Sequence, residues 1–131
     1  MSNLLTVQNI YAAFGRGDIP AILSQIHEQV AWDQGMSSNM PPWLRPRTGR
    51  AQVAEFFGAL AALEFKKFQP KTLFESGNCV VALIDIEFVV KANGNVIRED
   101  DEVHIFRFDE SGLITSFCHK LDTALDRKSV V

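Results

Sequence analysis

The chain has 131 residues, of which 47% are hydrophobic and 22% charged, and its net charge is −3 with His neutral. This composition is that of a globular protein and excludes a disordered chain. The length predicts a single domain over residues 1–131, because two cores of about 65 residues each would be marginally stable. Without a basic excess we expect no nucleic-acid partner, and without an apolar run of about 18 residues we expect no membrane span. Two cysteines make no disulfide framework, which predicts a reduced, cytoplasmic setting.

The first third of the chain predicts two helices and a strand. Apolar residues over Val7–Phe14 recur at spacings of three and four, which is typical of a helix with one buried stripe. Asp18 is the predicted N-cap of a second helix, with Pro20 in its first turn and an apolar stripe that continues to Ile26. A short strand is predicted over 30–34.

Residues 35–47 contain three of the five prolines and predict a loop that is long enough to cover or bind something. In this loop, Trp43 together with Met40 and Leu44 forms either a hydrophobic lid or the anchor that holds the loop down. The pattern leaves both interpretations open.

The remainder of the chain predicts a third helix followed by strands. Thr48 or Gly49 caps the helix, whose apolar stripe runs from Val53 to Leu60. After Leu63 the period changes from 3.6 to 2. The fold class is therefore α+β, with three helices on one face of a strongly curved antiparallel or mixed sheet. The predicted strands are 65–75, Cys79–Val90, Val96–Phe108 and Leu113–Leu121.

Side-chain alternation places several polar residues on the inner face of this sheet. Glu102 and His104 share the parity of Phe106, and His119 shares the parity of Phe117. A buried imidazole without a partner is costly, so we expect polar groups to meet both histidines. The sequence thus predicts a polar site inside an aromatic pocket.

Asp33, His104 and His119 are the predicted catalytic residues. A carboxylate in an apolar cavity is a candidate base, and the imidazoles can donate hydrogen bonds or exchange a proton. The alternative is that the histidines only line the cavity. Trp32 alternates with Asp33, so it enters the pocket only at a bulge or strand end. The predicted substrate-binding residues are Tyr11, Trp32, Trp43, Phe56, Phe106, Phe117 and Glu102.

The other acidic residues predict no further site. Asp85 and Glu87 either enter the pocket or lie on an outer surface, and the acidic run 98–102 is typical of a solvated strand edge. We find no His and carboxylate set at metal-ligand spacing and expect no metal or other cofactor. Outward residues of the last two strands, among them Ile105 and Cys118, would leave an apolar patch bare and predict a homodimer through the sheet face. Arg107 and Ser116 share that face.

Three segments of the chain resemble the SnoaL-like branch of the NTF2-like superfamily. They are VQNIYAAFGRGDIPAIL, then VAWDQG followed by TGRAQVAEFF, and finally HIFRFDESGLITSFCHKLDTA. Their order and spacing extend the resemblance over nearly the whole chain. It implies a cone-shaped α+β fold, shared with ketosteroid isomerase, limonene epoxide hydrolase and polyketide cyclases.

The resemblance also implies roles for single residues. Asp33 stands where ketosteroid isomerase carries its proton-abstracting aspartate, and His104 where that enzyme has the protonated aspartate of its oxyanion hole. Ile10, which cannot donate a hydrogen bond, replaces the oxyanion-hole tyrosine, and Tyr11 is one position away. His119 stands near the acidic catalytic residue of the epoxide hydrolases and some cyclases. No single activity of the family is reproduced intact.

These observations predict a protein that binds a small hydrophobic molecule, of cyclic or polyketide-like kind, in a deep apolar pocket. The expected chemistry is proton transfer without a cofactor: isomerisation, aldol-type cyclisation or hydrolytic ring opening. The alternative is a non-catalytic binding or dimeric interaction module. Mutual geometry separates them, because catalysis needs Asp33 and one histidine to reach a common substrate atom.

Overall fold

The computed structural model describes residues 2–121. The closing Asp-Thr-Ala of the third resembling segment, residues 122–124, lies outside the described residues. No helix within residues 2–121 is long and apolar enough to cross a membrane. The helices are α1 (Asn3–Gly15), α2 (Ile19–Leu23) and α3 (Arg50–Ala59), and the strands are β1 (Ile26–Trp32), β2 (Arg47–Thr48), β3 (Leu63–Ser76), β4 (Cys79–Val90), β5 (Val96–Phe108) and β6 (Ile114–Lys120).

The six strands form one mixed sheet in the order β2-β1-β6-β5-β4-β3. All neighbouring strands are antiparallel except β1 and β6, which run parallel. The predicted adjacency of β4, β5 and β6 is confirmed, with Val81, Ile105 and Cys118 side by side. Residues of β4 alternate between buried and half-buried, and the buried set belongs to one core with apolar residues of the helices. The α+β class is therefore confirmed.

The second helix is shorter than predicted, and the first strand is longer. Helix α2 ends at Leu23, and Ile26 begins β1 instead of extending the helical stripe, so the predicted strand 30–34 begins four residues too late. Ile26 is 1% exposed and pairs with Ile114 of β6. A lone buried isoleucine fits either period, so only strand pairing decides its state.

Helix α3 begins at Arg50, and its N-cap is Gly49, one of the two predicted caps. Gly49 has φ +88°, and its N–H bonds to the carbonyl of Val30 at 2.8 Å. Thr48 belongs to the short strand β2, which the sequence did not predict. Arg50 donates from Nε and Nη2 to the carbonyl of Ile26 at 2.9 and 2.7 Å. The start of α3 is therefore tied directly to β1, where the candidate site begins.

Candidate functional site

A cavity of about 100 Å³ lies between the helices and the inner face of the sheet. Eight of the ten Phe line it, so its wall is largely aromatic. A wider hollow of about 480 Å³ adjoins it beside α1 and β3 and shares lining residues with it. The lining residues with an ionisable side chain are Tyr11, Glu102, His104 and His119.

Asp33 and His119 form a buried pair at this cavity. Asp33 Oδ2 lies 2.7 Å from His119 Nδ1, and Asp33 Oδ1 accepts the backbone N–H of His119 at 2.8 Å. Asp33 is 1% exposed and His119 8% exposed. Because a carboxylate only accepts hydrogen bonds, Nδ1 carries the hydrogen, and Nε2 is the basic nitrogen of the neutral ring.

A break at the end of β1 brings Asp33 inward. Asp33 follows the last residue of β1 and has φ +52°, and its N–H bonds to the carbonyl of Phe117 at 2.9 Å. This left-handed residue interrupts the alternation, so Trp32 and Asp33 are both buried. Asp33 nevertheless does not line the cavity, since both of its oxygens bind His119. The expectation that Asp33 itself opens onto the pocket is wrong, so Asp33 and a histidine do not both reach a substrate atom, and Asp33 can act on a ligand only through His119.

Tyr11, His104 and Glu102 form a second hydrogen-bonded chain. The Tyr11 hydroxyl lies 2.8 Å from His104 Nδ1, and His104 Nε2 lies 2.7 Å from Glu102 Oε2. Helix α1 supplies Tyr11, and alternation along β5 supplies the other two. The rings of His104 and His119 are 4.9 Å apart between centroids and perpendicular. The two hydrogen-bonded groups therefore meet at one point of the cavity wall.

Burial shifts the acid–base equilibria of this chain. Burial lowers the pKa of His104 below its ordinary value, although the neighbouring Glu102 opposes the shift. For Glu102 burial acts to raise the pKa, but the hydrogen bond from His104 and the imidazole charges outweigh it and hold the pKa below its ordinary value. Burial and Glu102 raise the pKa of Tyr11. At neutral pH His104 is thus neutral, donating from Nε2 to ionised Glu102 and accepting at Nδ1 from Tyr11.

The site also brings together residue types that could hold a metal. Within the described residues, ligand atoms of Glu102, His104 and His119 lie within 4.8 Å of one another. The members of this group come from two strands, so no ligand spacing along the chain indicates them. Glu102 and His104 are hydrogen-bonded to each other, and this pairing satisfies both side chains without an ion. The expectation of no metal stays a prediction.

All seven predicted substrate-binding residues line the cavity, and their contact with a substrate stays a prediction. Trp43 and Leu44 are buried in a 3-10 turn, so they anchor the loop in the core. Both residues also form part of the cavity wall. Phe65, Phe68 and Phe88 also line the cavity and were not among the predicted residues. Only their aromatic character in a strand region could have indicated this.

The other acidic residues lie away from the cavity. Asp85 is on the opposite face of β4, where it forms ion pairs with Lys67 and Lys71 and accepts the N–H of Asp101. Glu87 shares that face by alternation. The open question of their orientation is thereby answered, since both face outward. The run 98–102 is a solvated edge up to Asp101.

Comparisons with known proteins identify the family and the fold. Residues 7–117 match the SnoaL-like domain. An NTF2-like protein of unknown function from Burkholderia pseudomallei K96243 is 28% identical with a TM-score of 0.83, covering 100% of this chain and 99% of that one. TerC, co-crystallised with polyporic acid, is 25% identical with a TM-score of 0.79 and coverage of 98% and 97%.

A further solved structure shows the same fold alone. A candidate polyketide cyclase from Pseudomonas putida KT2440 is 19% identical with a TM-score of 0.76, covering 100% of this chain and 99% of that one. No curated protein matches the chain significantly in sequence. The family match spans most of the chain, and the structural matches reproduce its sheet and helices. The chain belongs to the SnoaL-like domain family and has the NTF2-like fold.

Proposed function

We propose that the protein binds a small hydrophobic molecule, of cyclic or polyketide-like kind, and catalyses cofactor-free proton transfer on it. The observation that carries this proposal is the Asp33–His119 pair at the wall of an aromatic cavity. A neutral imidazole held by a carboxylate is a general base near neutral pH. Small-molecule binding is supported by TerC, which was co-crystallised with polyporic acid.

The proposed reaction is of the isomerase or cyclase type. His119 Nε2 takes a proton from a carbon next to a carbonyl, so a C–H bond breaks, an N–H bond forms, and the electron pair moves to the carbonyl oxygen as an enolate. In an isomerisation, His119 returns the proton to another carbon. In an aldol-type cyclisation, the enolate carbon attacks a second carbonyl of the same molecule, and the resulting alkoxide takes the proton. Neither reaction needs an oxidant or reductant.

Hydrolytic ring opening fits the site less well. The epoxide hydrolases of the superfamily use an arginine–aspartate pair, and the acidic residues in that region here, Asp85 and Glu87, face away from the cavity. Within the described residues the cavity wall contains no arginine. Proton transfer to and from carbon is therefore the chemistry that we favour.

His104 is assigned a positioning role in this proposal. Its Nε2–H donates to Glu102, and its Nδ1 accepts from Tyr11. As an oxyanion donor it would have to give up one of these bonds. In the proposed site it holds Tyr11 and the ionised Glu102 beside the ligand and packs its ring against His119.

The second candidate function is ligand binding without turnover. One observation favours it: both nitrogens of His104 are engaged within the protein, so this ring offers no proton to a ligand. A binding module needs only the apolar wall. The two candidates differ in a single measurable property, which is the rate at which a bound carbon acid exchanges its protons.

The exchange of hydrogen for deuterium in 1-indanone tests the proposal. In D₂O the enzyme should speed deuterium incorporation at the carbon next to the carbonyl, followed by proton NMR. His119→Asn should lower this rate by roughly 10²–10⁴-fold, the usual contribution of a general base. His27→Asn is the matched control, because His27 lies on β1 and does not line the cavity. The rate should survive dialysis against EDTA.

Three outcomes would contradict this proposal in different ways. Binding of 1-indanone without faster exchange would leave only the binding module. Exchange that survives in the His119→Asn protein would move the base to another residue. Loss of exchange after EDTA would show that a metal takes part, and the group formed by Glu102, His104 and His119 would then be its site.

We further propose that the protein is a cytoplasmic homodimer. Cys79 and Cys118 are both free, which suits a reducing compartment. On the outer sheet face, Val81, Ile105 and Cys118 form one row across three strands. Association with a second copy would cover this apolar row.

A further inference from the structure

We infer that the indole N–H of Trp32 donates a hydrogen bond to a carbonyl-type oxygen of the ligand, so that the ligand class is a cyclic ketone, quinone or similar ring carbonyl. This inference rests on the proposed binding function and specifies its substrate class. Trp32 lines the cavity and is 4% exposed. Its Nε1 is buried and has no hydrogen-bond acceptor among the described residues.

The surroundings of Trp32 explain why its donor is unsatisfied. Its ring packs against Phe117 at 4.2 Å, Phe56 at 5.2 Å and Phe57 at 6.3 Å between centroids. None of these side chains has an oxygen or nitrogen. A buried Trp N–H usually has a hydrogen-bond acceptor, because leaving a buried donor without one is energetically costly. An oxygen on the bound molecule would supply that missing acceptor.

Trp32 is close enough to the proposed base to act on the same molecule. Phe56 and Phe117 each contact both Trp32 and His119 by ring packing. The two residues therefore belong to one section of the cavity wall. A ring carbonyl held by Trp32 would present its neighbouring carbon toward His119. The N–H would then also stabilise the oxygen as it gains negative charge.

Within the described residues, the polar hydrogens of His104, Tyr11 and His119 in the cavity wall are already directed to other side chains. The Nε2–H of His104 is directed to Glu102, and the Tyr11 hydroxyl is directed to His104. The Nδ1–H of His119 is directed to Asp33. The indole N–H of Trp32, by contrast, is a donor in the cavity wall that has no acceptor among the described residues.

A pair of matched probes tests the inference. Indane and 1-indanone share one fused-ring skeleton, and only the ketone carries an acceptor oxygen. The affinity for indane, corrected for the difference in water-to-oil transfer free energy between the two probes, gives the affinity that 1-indanone would have without a hydrogen bond. We expect the wild-type protein to bind 1-indanone roughly three- to tenfold more tightly than this reference, which is the effect of about one hydrogen bond. Trp32→Phe should remove this preference. Trp43→Phe, at the other cavity tryptophan, should change both affinities but keep the preference.

An NMR measurement keeps the test valid even if Trp32→Phe does not fold. The chain has two tryptophans, so a ¹⁵N-labelled sample gives two indole N–H signals. Whichever tryptophan variant folds assigns both of them. Adding 1-indanone should move the Trp32 signal downfield as its hydrogen bond forms, and indane should not.

The outcomes separate this inference from the proposed function. If both probes bind with no carbonyl preference, or if Trp32→Phe keeps the preference, the inference is overturned and ligand binding stands. If 1-indanone binds without a downfield shift at Trp32, the inference is overturned as well. If neither probe binds, the proposed function and this inference fail together.

Discussion

The carboxylate of Asp33 is committed to a single neighbour, since both of its oxygens bind His119. Its function is therefore exerted through that ring. The carboxylate keeps the hydrogen on Nδ1 and leaves Nε2 as the basic nitrogen, which is the orientation that a general base in the cavity needs. Asp33 is accordingly a positioning residue in our proposal rather than the base itself.

Asp33→Asn tests this positioning role. The amide can still accept the backbone N–H of His119, but its NH₂ group would meet Nδ1 and favour the wrong tautomer. We expect kcat for proton exchange to fall on the order of 10²–10⁴-fold while KM changes little. Asp100→Asn, at an exposed edge, is the control. An unchanged kcat would show that the His119 tautomer does not depend on Asp33.

The acid–base properties of His104 and Glu102 predict how stability depends on pH. Both groups have a pKa below the ordinary values of 6.5 and 4.5. The unfolded chain therefore binds these protons at higher pH than the folded protein does. The free energy of unfolding should fall as the pH drops below about 6.5 and fall further below about 4.5.

The His104→Asn variant separates this effect from general acid sensitivity. Tyr11, Glu102, His119 and Asp33 are the titratable groups that face the ring. Urea unfolding at pH 7.5, 6.5 and 5.5 should show a smaller loss of stability in the variant than in the wild type. An equal loss in both proteins would mean that His104 does not titrate as described.

At the scale of elements, two irregularities decide which side chains reach the cavity. The register of β4 and β5 shifts between the pairs Ile84–Glu102 and Ile86–Glu99, and Asp101 within this bulge has φ +59°. The shift changes the phase of β5. Ile97, before the bulge, and Glu102, after it, are consequently both buried although they differ in parity. The second irregularity is the left-handed Asp33 at the end of β1.

Among the described glycines, Gly49 is the one at which an added Cβ would contact another atom. Its φ is +88°, and a Cβ there would lie 3.1 Å from the carbonyl oxygen of Glu28. Gly49→Ala should therefore lower the free energy of unfolding by about 1–3 kcal/mol. Gly58→Ala is the matched control on the same helix, because nothing lies within 4 Å of its Cβ position. That change should stabilise the protein by about 0.5–1 kcal/mol.

Urea unfolding of both glycine variants measures these effects. If Gly49→Ala is as stable as the wild type, the start of α3 must relax without strain. The backbone at the N-terminus of α3 would then be more flexible than the structure indicates.

At the scale of the whole molecule, the outer sheet face predicts association. Sedimentation at micromolar concentration should show a dimer. Ile105→Glu should convert it to a monomer, because a charge would then be buried in the apolar row that Ile105 forms with Val81 and Cys118. Leu5→Glu is the control, since Leu5 is exposed on α1. A wild-type monomer at this concentration would refute the dimer.

Local patterns were sufficient for much of the fold and part of the site. Periods of 3.6 and 2 identified α1, α3 and the four strands β3, β4, β5 and β6, and parity placed Glu102, His104 and His119 inward. Parity succeeded at Glu102 because counting back from Phe106 does not cross the bulge at Asp101. It failed to place Trp32 and Asp33 together, because alternation assumes an uninterrupted strand.

The sequence by itself determined the class of this protein: an α+β domain whose aromatic and histidine-bearing strand faces turn inward, with the order of segments of a SnoaL-like chain. Those features depend on residues that are close together in sequence, because the number of residues between two side chains of one helix or strand decides whether they point to the same face. Only the tertiary structure decided which polar atoms meet. The bonds from Asp33 to His119 and from Tyr11 to His104 join residues 86 and 93 positions apart. Such contacts depend on strand order, bulges and helix placement, which no local period encodes.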